Sequence, residues 1–276
     1  MPWEPSEDPT LARFSRQLVL PEVGPAGQAA LAAASVLVVG AGGLGHPVLT
    51  YLAAAGVGHL VVLDADEVEV SNLPRQVLFE PGDVGRPKVE VVAERLGRLA
   101  PGCRVAALPR RYDPEVALEA LHGVTLAVDA SDNFATRFLL NDACRLAGVP
   151  LVHGGLTRFG GLVTTFAPAG PCYRCFFSEP PRHGRIPACG EAGVLGPAAG
   201  LVGSWQALEA IKWALGARAQ ALVGRVLLVD LWEALVETVR LPRKPDCLLC
   251  GEAPEITRID PDDPTYAQAR QMLEKA

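Results

Sequence analysis

The chain has 276 residues, of which 49% are hydrophobic and 20% charged, a balance that builds a buried core and excludes disordered and collagenous chains. A net charge of −6 and a pI near 5.4 argue against nucleic acid as the main partner. No apolar run reaches the ~18 residues of a membrane span, and the opening MPWEPSEDPT is unlike a signal peptide; a cytoplasmic protein with no membrane partner is expected.

In chain order, residues 9–20 and 27–34 read as two short helices, a helical N-terminal arm over 1–34 whose Arg13 and Arg16 share one helical face. Next comes SVLVVGAGGLGHPVLTYLAAAGVGHLVVLDAD, which the spacing predicts to be a strand (36–39), a glycine turn, a helix (44–55) and a second strand (60–63) ending on Asp64. The glycines Gly40, Gly42, Gly43 and Gly45 let the backbone turn tightly and approach a phosphate at the helix start. Asp64 is placed to accept hydrogen bonds from ribose hydroxyls. This βαβ pattern reads as a nucleotide site for NAD, FAD or ATP alike, whereas the absence of GxxxxGK[ST] excludes a P-loop.

The stretch DEVEVSNLPRQVLFEPGDVGRPK that follows is a long loop at a strand's carboxyl end, where open α/β sheets bind ligands. Arg75 and Lys88 are its cations best suited to a triphosphate, with Arg86 a third. A helix over 86–100 puts Lys88 in its first turn, where the helix dipole disfavours a cation; an anion is expected to meet it. A strand at 104–107, a helix at 114–121, a strand at 124–128, a helix at 133–147 and a strand at 151–152 continue the alternation into a doubly wound, mostly parallel Rossmann-like α/β sheet. The strand at 124–128 leads into Asp129-Ala-Ser-Asp132-Asn133, two carboxylates on the ligand side. Asp132 suits Mg²⁺, which takes oxygen ligands beside phosphates, with a helix cap by Asp132 or Asn133 as the ordinary alternative. From Arg158 onward the pattern changes to antiparallel strands around one apolar helix at about 200–215. The tail after Glu252 reads as peripheral.

Seven cysteines in a reducing compartment point to metal ligands, nucleophiles or buried thiols rather than disulfides. Cys172-Tyr-Arg-Cys175 and Cys247-Leu-Leu-Cys250 have the paired spacing of a tetrahedral, structural Zn²⁺ site, with a redox dithiol or an iron–sulfur cluster as alternatives. Cys189, unpaired in the glycine- and proline-rich GRIPACGEAGVLGP, is a candidate nucleophile or an inert thiol. Cys103 and Cys144 read as buried. Among the histidines only His153, following an inner strand, is placed near the site.

Taken together, RFSRQ (13–17), GAGGLG (40–45), LDAD (63–66), SNLPRQ (71–76), GRPK (85–88), DASDN (129–133), CYRC and CLLC resemble the ThiF/MoeB/HesA adenylyltransferases, bacterial relatives of ubiquitin-activating enzymes. The resemblance covers about residues 10–251 and implies a single adenylation domain over 1–252, with 253–276 as its tail. It implies ATP as the nucleotide and, as substrate, the C-terminal glycine carboxylate of a small ubiquitin-like sulfur carrier ending in Gly-Gly. Such carriers serve molybdopterin, thiamine thiazole or tRNA thiolation. By the same resemblance Gly40, Gly42 and Gly43 lie against the nucleotide and Asp64 holds the ribose. Asn72, Arg75 and Lys88 contact the phosphates, with Ser71, Gln76 and Asn133 in the same binding set, and Asp132 binds Mg²⁺. Arg16 reaches the neighbouring subunit's ATP site, implying a homodimer, and Cys189 enters the later sulfur or thioester chemistry. Pro74 departs from the family's frequent Gln. The chain ends soon after the second cysteine pair without a rhodanese domain, so another protein, such as a cysteine desulfurase or rhodanese, is expected to supply sulfur. Two rival readings stand on the same fold: an NAD-dependent oxidoreductase, which leaves Arg75, Lys88 and Asp132 without work, and a non-catalytic scaffold, which need not release pyrophosphate.

Overall fold

Along the first strands, apolar side chains point alternately to two faces, and both faces must be covered. In the computed structural model, which describes residues 12–180 and 193–266, α1 (Ser15–Leu18) and α2 (Gly24–Ala33) precede β1 (Ser35–Val39), α3 (Gly45–Ala55) and β2 (His59–Leu63). The alternation continues through α4 (Lys88–Leu99), β3 (Arg104–Leu108), β4 (Leu126–Asp129), α5 (Phe134–Ala147) and β5 (Leu151–Thr157). Then follow β6 (Gly160–Phe166), the short α6 (Tyr173–Phe176), the long α7 (Gly196–Ala214), β7 (Arg225–Asp230) and β8 (Leu235–Arg240).

The strands form one eight-stranded sheet in the order β3-β2-β1-β4-β5-β6-β7-β8. Strands β1 to β5 run parallel, and β6, β7 and β8 are added antiparallel, as the change of pattern at Arg158 predicts. Val36, Val38, Leu60, Val62 and Val128 pack under α3, α4 and α7. Their neighbours Leu37, Val39, Leu63, Ala127 and Leu151 pack against Phe138, Leu139 and Leu140 of α5. Each fully buried Val, Leu or Phe among them contributes roughly 1.5–3 kcal/mol, and a one-residue slip of register would turn both layers inside out. Helix α7 lies on β5 and β6 and packs along α3, while its Leu201 and Leu208 are exposed. Gly203 permits the close crossing: a Cβ there would lie 2.5 Å from the Leu44 carbonyl oxygen. Chain order reverses between β1 and β4, which opens a crevice at their carboxyl ends. Among the described residues no helix is long and apolar enough to cross a membrane.

The structure differs from the sequence expectation in several places. The helix expected at 114–121 is a run of turns closing in a 3₁₀ turn at Glu119–Leu121. The Tyr112 hydroxyl donates to the Ala117 carbonyl at 2.8 Å, taking the acceptor an α-helix needs there, and the Leu121 N–H turns instead to Leu118. Helix α4 begins at Lys88 rather than Arg86 because Pro87 takes the N-cap and Gly85 adopts φ +84°. Helix α7 begins at Gly196, four residues early. Of the first expected helix only α1 falls in a named element, since residues 1–11 lie outside those described. The tail is not wholly peripheral: Tyr266 is buried and its hydroxyl donates to Asp142 Oδ2 at 2.7 Å.

Candidate functional site

The site begins where β1 ends. Gly40 turns the chain at φ +103°, and a Cβ there would sit 2.6 Å from the Ala130 carbonyl oxygen, so glycine is required on two counts. The turn brings Gly40, Gly42 and Gly43 to the wall of a cavity of about 350 Å³ at the positive end of α3.

The end of β2 supplies the next wall. Asp64 faces the cavity, accepting the Ala41 N–H at Oδ2 (2.7 Å) and the Asp66 N–H at Oδ1 (2.8 Å). Two backbone bonds leave lone pairs for hydroxyl donors. Burial pushes the Asp64 carboxyl above its usual range, against the opposing pull of Lys88. Lys88, with a side chain only 7% exposed, holds Asp66 Oδ2 at 2.7 Å; this is the anion that the cation at a helix start called for. Arg75 lines the cavity and donates to the Ser71 carbonyl at 2.7 Å. Asn72, also lining it, closes its own 3₁₀ turn by accepting the Glu69 N–H at 3.1 Å. Gln76 lines it too, and its Oε1 is buried without a hydrogen-bond partner. The glycine cradle and the two cations beside it fit a bound polyanion, and the orphaned Gln76 acceptor fits a hydroxyl or water donor alongside.

Beyond β4, Asp132 and Asn133 reach the cavity. Asn133 also caps α5, accepting the Thr136 N–H at 2.9 Å. Asp132 is exposed to the cavity, and an open carboxylate there fits Mg²⁺, which usually keeps one or two carboxylates and several waters. Asp129 does not face the ligand as expected. Its carboxylate turns inward to His153 Nδ1 at 2.7 Å, both side chains almost wholly buried, and accepts from Ser131 N–H (3.0 Å) and Oγ–H (2.6 Å). His153 therefore stands behind the site rather than in it.

Several expected residues lie elsewhere. Ser71 is exposed and spends its hydroxyl on Glu69 Oε2 at 3.0 Å, outside the cavity wall. Arg86 is drawn away by Asp83 (3.0 Å) and Glu94 (2.9 Å). Arg16 is exposed on α1 and is absent from its own chain's cavity wall. Cys189 lies outside the described residues. Cys103 and Cys144 are buried, and desolvation pushes the Cys103 thiol up to about 11. Sequence reading missed Arg110, Arg111 and Arg137 in the cavity wall. The signal was available: the first two follow the carboxyl end of β3, and Arg137 sits in the first turn of α5.

The four predicted zinc ligands meet. The sulfurs of Cys172, Cys175, Cys247 and Cys250 all lie within 4.8 Å of one another, and all four residues are buried. The Cys172–Cys247 sulfurs are 3.6 Å apart and the Cys175–Cys250 sulfurs 3.3 Å. Zn–S bonds of ≈ 2.3 Å in a tetrahedron require an S···S edge of about 3.8 Å, so the set fits zinc with small adjustment. The Lys244 N–H donates to Cys175 Sγ at 3.4 Å, the kind of outer contact that steadies a thiolate ligand.

A model of the ThiF family matches residues 14–249. A sulfur carrier protein adenylyltransferase of Thermus thermophilus is 50% identical over 92% of this chain and 94% of its own length. A SAMP-activating enzyme E1 of Haloferax volcanii is 50% identical over 88% of this chain and 89% of its own. The adenylyltransferase and sulfurtransferase MOCS3 of Mus musculus is 46% identical over 90% of this chain, which spans 54% of that relative. Among solved structures, E. coli MccB with MccA-N7isoASN superposes with a TM-score of 0.77 at 22% identity, over 89% of this chain and 76% of that one, a likeness of fold alone.

Proposed function

Because this chain belongs to the ThiF family, we propose that it uses ATP to adenylate the C-terminal glycine carboxylate of a ubiquitin-like sulfur carrier, readying it for conversion to a thiocarboxylate. The observation that carries this reading is the convergence of Gly40 to Gly43, Asp64, Arg75, Lys88 and Asp132 on one cavity at the β1–β4 crevice.

A carboxylate is a poor electrophile because it is anionic and its oxygen leaves badly. Its oxygen attacks the α-phosphorus of ATP, the bond from that phosphorus to the bridging oxygen breaks, and the electron pair departs with pyrophosphate. The product is a neutral acyl carbon bearing AMP as leaving group. No general base is needed, since the carboxylate is already ionised at neutral pH. Arg75 and Lys88 oppose charge on the phosphates, Asn72 contacts them, and Asp64 orients the ribose. Lys88 must exchange Asp66 for phosphate when the nucleotide enters. Asp132 would hold Mg²⁺, which when bound neutralises part of the triphosphate charge. Cys172, Cys175, Cys247 and Cys250 would hold a structural zinc that cross-links two distant stretches of chain. Arg16, exposed and outside its own cavity, suits a homodimer in which it serves the neighbour. Cys189 acts after adenylation, on sulfur delivered by a cytoplasmic desulfurase or rhodanese.

The test is ATP–pyrophosphate exchange with small Gly-Gly carriers from the same cell. Exchange that depends on one carrier, vanishes when its last glycine is deleted and survives Cys189→Ala is expected. Absence of exchange with every carrier, in folded protein supplied with Mg²⁺, would overturn the reading.

A further inference from the structure

The cavity has a third wall that the reaction so far leaves without work. β3 pairs with β2 through Leu108 and Leu63, and the Asp64 N–H donates to the Leu108 carbonyl at 3.4 Å. Arg110 and Arg111, immediately past that strand, therefore emerge beside Asp64 and line the same cavity. Arg110 is exposed and loosely paired with Asp113 at 3.7 Å. Arg111 is different. It is half-buried, and among the described residues it has no hydrogen bond or ion pair. Its backbone is nonetheless fixed on the far side, where Tyr112 is buried with its hydroxyl on Ala117 and Asp113 takes the Glu115 and Val116 N–H groups.

Neighbouring strands lie about 4.8 Å apart, so the strand ends form a ruler. The glycine turn follows β1, the ribose acid follows β2, and the arginine pair follows β3. A nucleotide with its phosphates on the first mark and its sugar on the second lays its base on the third. A guanidinium is planar and weakly hydrated, and it stacks on aromatic faces as an ammonium cannot. Resting on the ATP reading above, we propose that Arg111 forms the wall on which the adenine ring stacks, making it a base-binding residue of this chain.

The probes are ATP and inorganic tripolyphosphate, titrated separately against the full-length protein. For Arg111→Ala, ATP is expected to bind roughly fivefold more weakly or worse, while tripolyphosphate, which has no base, binds as before and so reports an intact fold. Arg111→Lys keeps the charge and loses the plane, and should resemble the alanine variant. Equal weakening of ATP and tripolyphosphate would make Arg111 a phosphate contact and overturn the proposal, as would unchanged ATP affinity or full rescue by lysine. Failure of the unmodified protein to bind ATP at all would instead bring down the nucleotide reading beneath it.

Discussion

His153→Phe removes the partner of a carboxylate that has no water to turn to. The Asp129 and His153 side chains are 1% and 2% exposed, with His153 Nδ1 and Asp129 Oδ2 2.7 Å apart. Burial pushes the Asp129 carboxyl up, but the contact with His153, the positive charge of Arg137 and the hydrogen bond from Ser131 together outweigh it and hold the group below its usual value. Burial also lowers the His153 pKa, against the raising pull of Asp129. The pair is therefore a neutral imidazole donating its Nδ1 proton to an ionised Asp129. Phenylalanine fits the space, which Phe166 and Tyr173 already line with aromatic rings, so the loss is chiefly the hydrogen bond. A bond to a charged group is worth about 1.5–3 kcal/mol, and Asp129 retains only its two bonds from Ser131. For a domain of this size that lowers the melting temperature by roughly 3–12 °C. Because Asp129 also organises Ser131, next to Asp132, the KM for ATP should rise more than it does on an exposed β8 substitution of equal stability. Asp129→Asn removes the charge, so the double variant should be less damaged than the two single losses added together, by about 1–3 kcal/mol. Thermal and denaturant unfolding of the four proteins measures this coupling. Strict additivity, or a His153→Phe protein as stable as its parent, would refute the account of a buried carboxylate held by the neutral His153 imidazole.

Two further outcomes are expected. His46 is buried, its Nδ1 accepting the Leu78 N–H at 3.0 Å, and burial followed by the charge of Lys88 pulls its pKa from 6.5 to about 3. Between pH 6.5 and 3 the unfolded chain binds a proton that the folded chain refuses, so stability falls as pH drops through that window, by up to about 1.4 kcal/mol per unit. His46→Gln keeps an acceptor for Leu78 and should remove one proton's worth of that slope in unfolding titrations; an unchanged slope would count against it. Metal analysis of the purified protein should find zinc, which Cys250→Ala or a strong chelator removes with a clear drop in thermal stability, since metal-binding energy at such a site is folding energy. Zinc retained by the Cys250→Ala protein would show that these four sulfurs are not the ligand set.

The sheet was legible because its strands are apolar, its helices carry helical periodicity, and a glycine turn marks the first crossover. Positions of this kind are set by local pattern and remain true whatever surrounds them. The expected helix at 114–121 failed for the opposite reason. Nothing in its own sequence announces that the Tyr112 hydroxyl will claim the Ala117 carbonyl, a contact made only once both are buried. The tail failed likewise: Tyr266 sits in a polar, proline-containing segment, yet Asp142, already held by Arg174 at 2.6 Å, gives it a buried partner. Charges hidden in α7 belong to the same class, with Glu209 fully buried and satisfied by Thr165, Lys212 and the Leu222 N–H.

The motif DASDN shows most clearly how far a sequence motif reaches. Its two aspartates look equivalent in sequence, both at a strand's carboxyl end and both suited to a cation. In a strand, however, successive side chains face opposite ways, and the turn after β4 adds a further change of direction. Asp129, the last residue of β4, points into the protein, where it must be neutralised or hydrogen-bonded, and it binds His153 and Ser131. Asp132, three residues on and past the turn, opens to the cavity. Asn133 then starts the helix, its side chain capping the Thr136 N–H. One pentapeptide thus anchors a loop, offers a ligand and begins a helix. Each job falls to its residue because of where the backbone points there. A motif specifies the residue types brought together, and only the path of the chain apportions the roles among them.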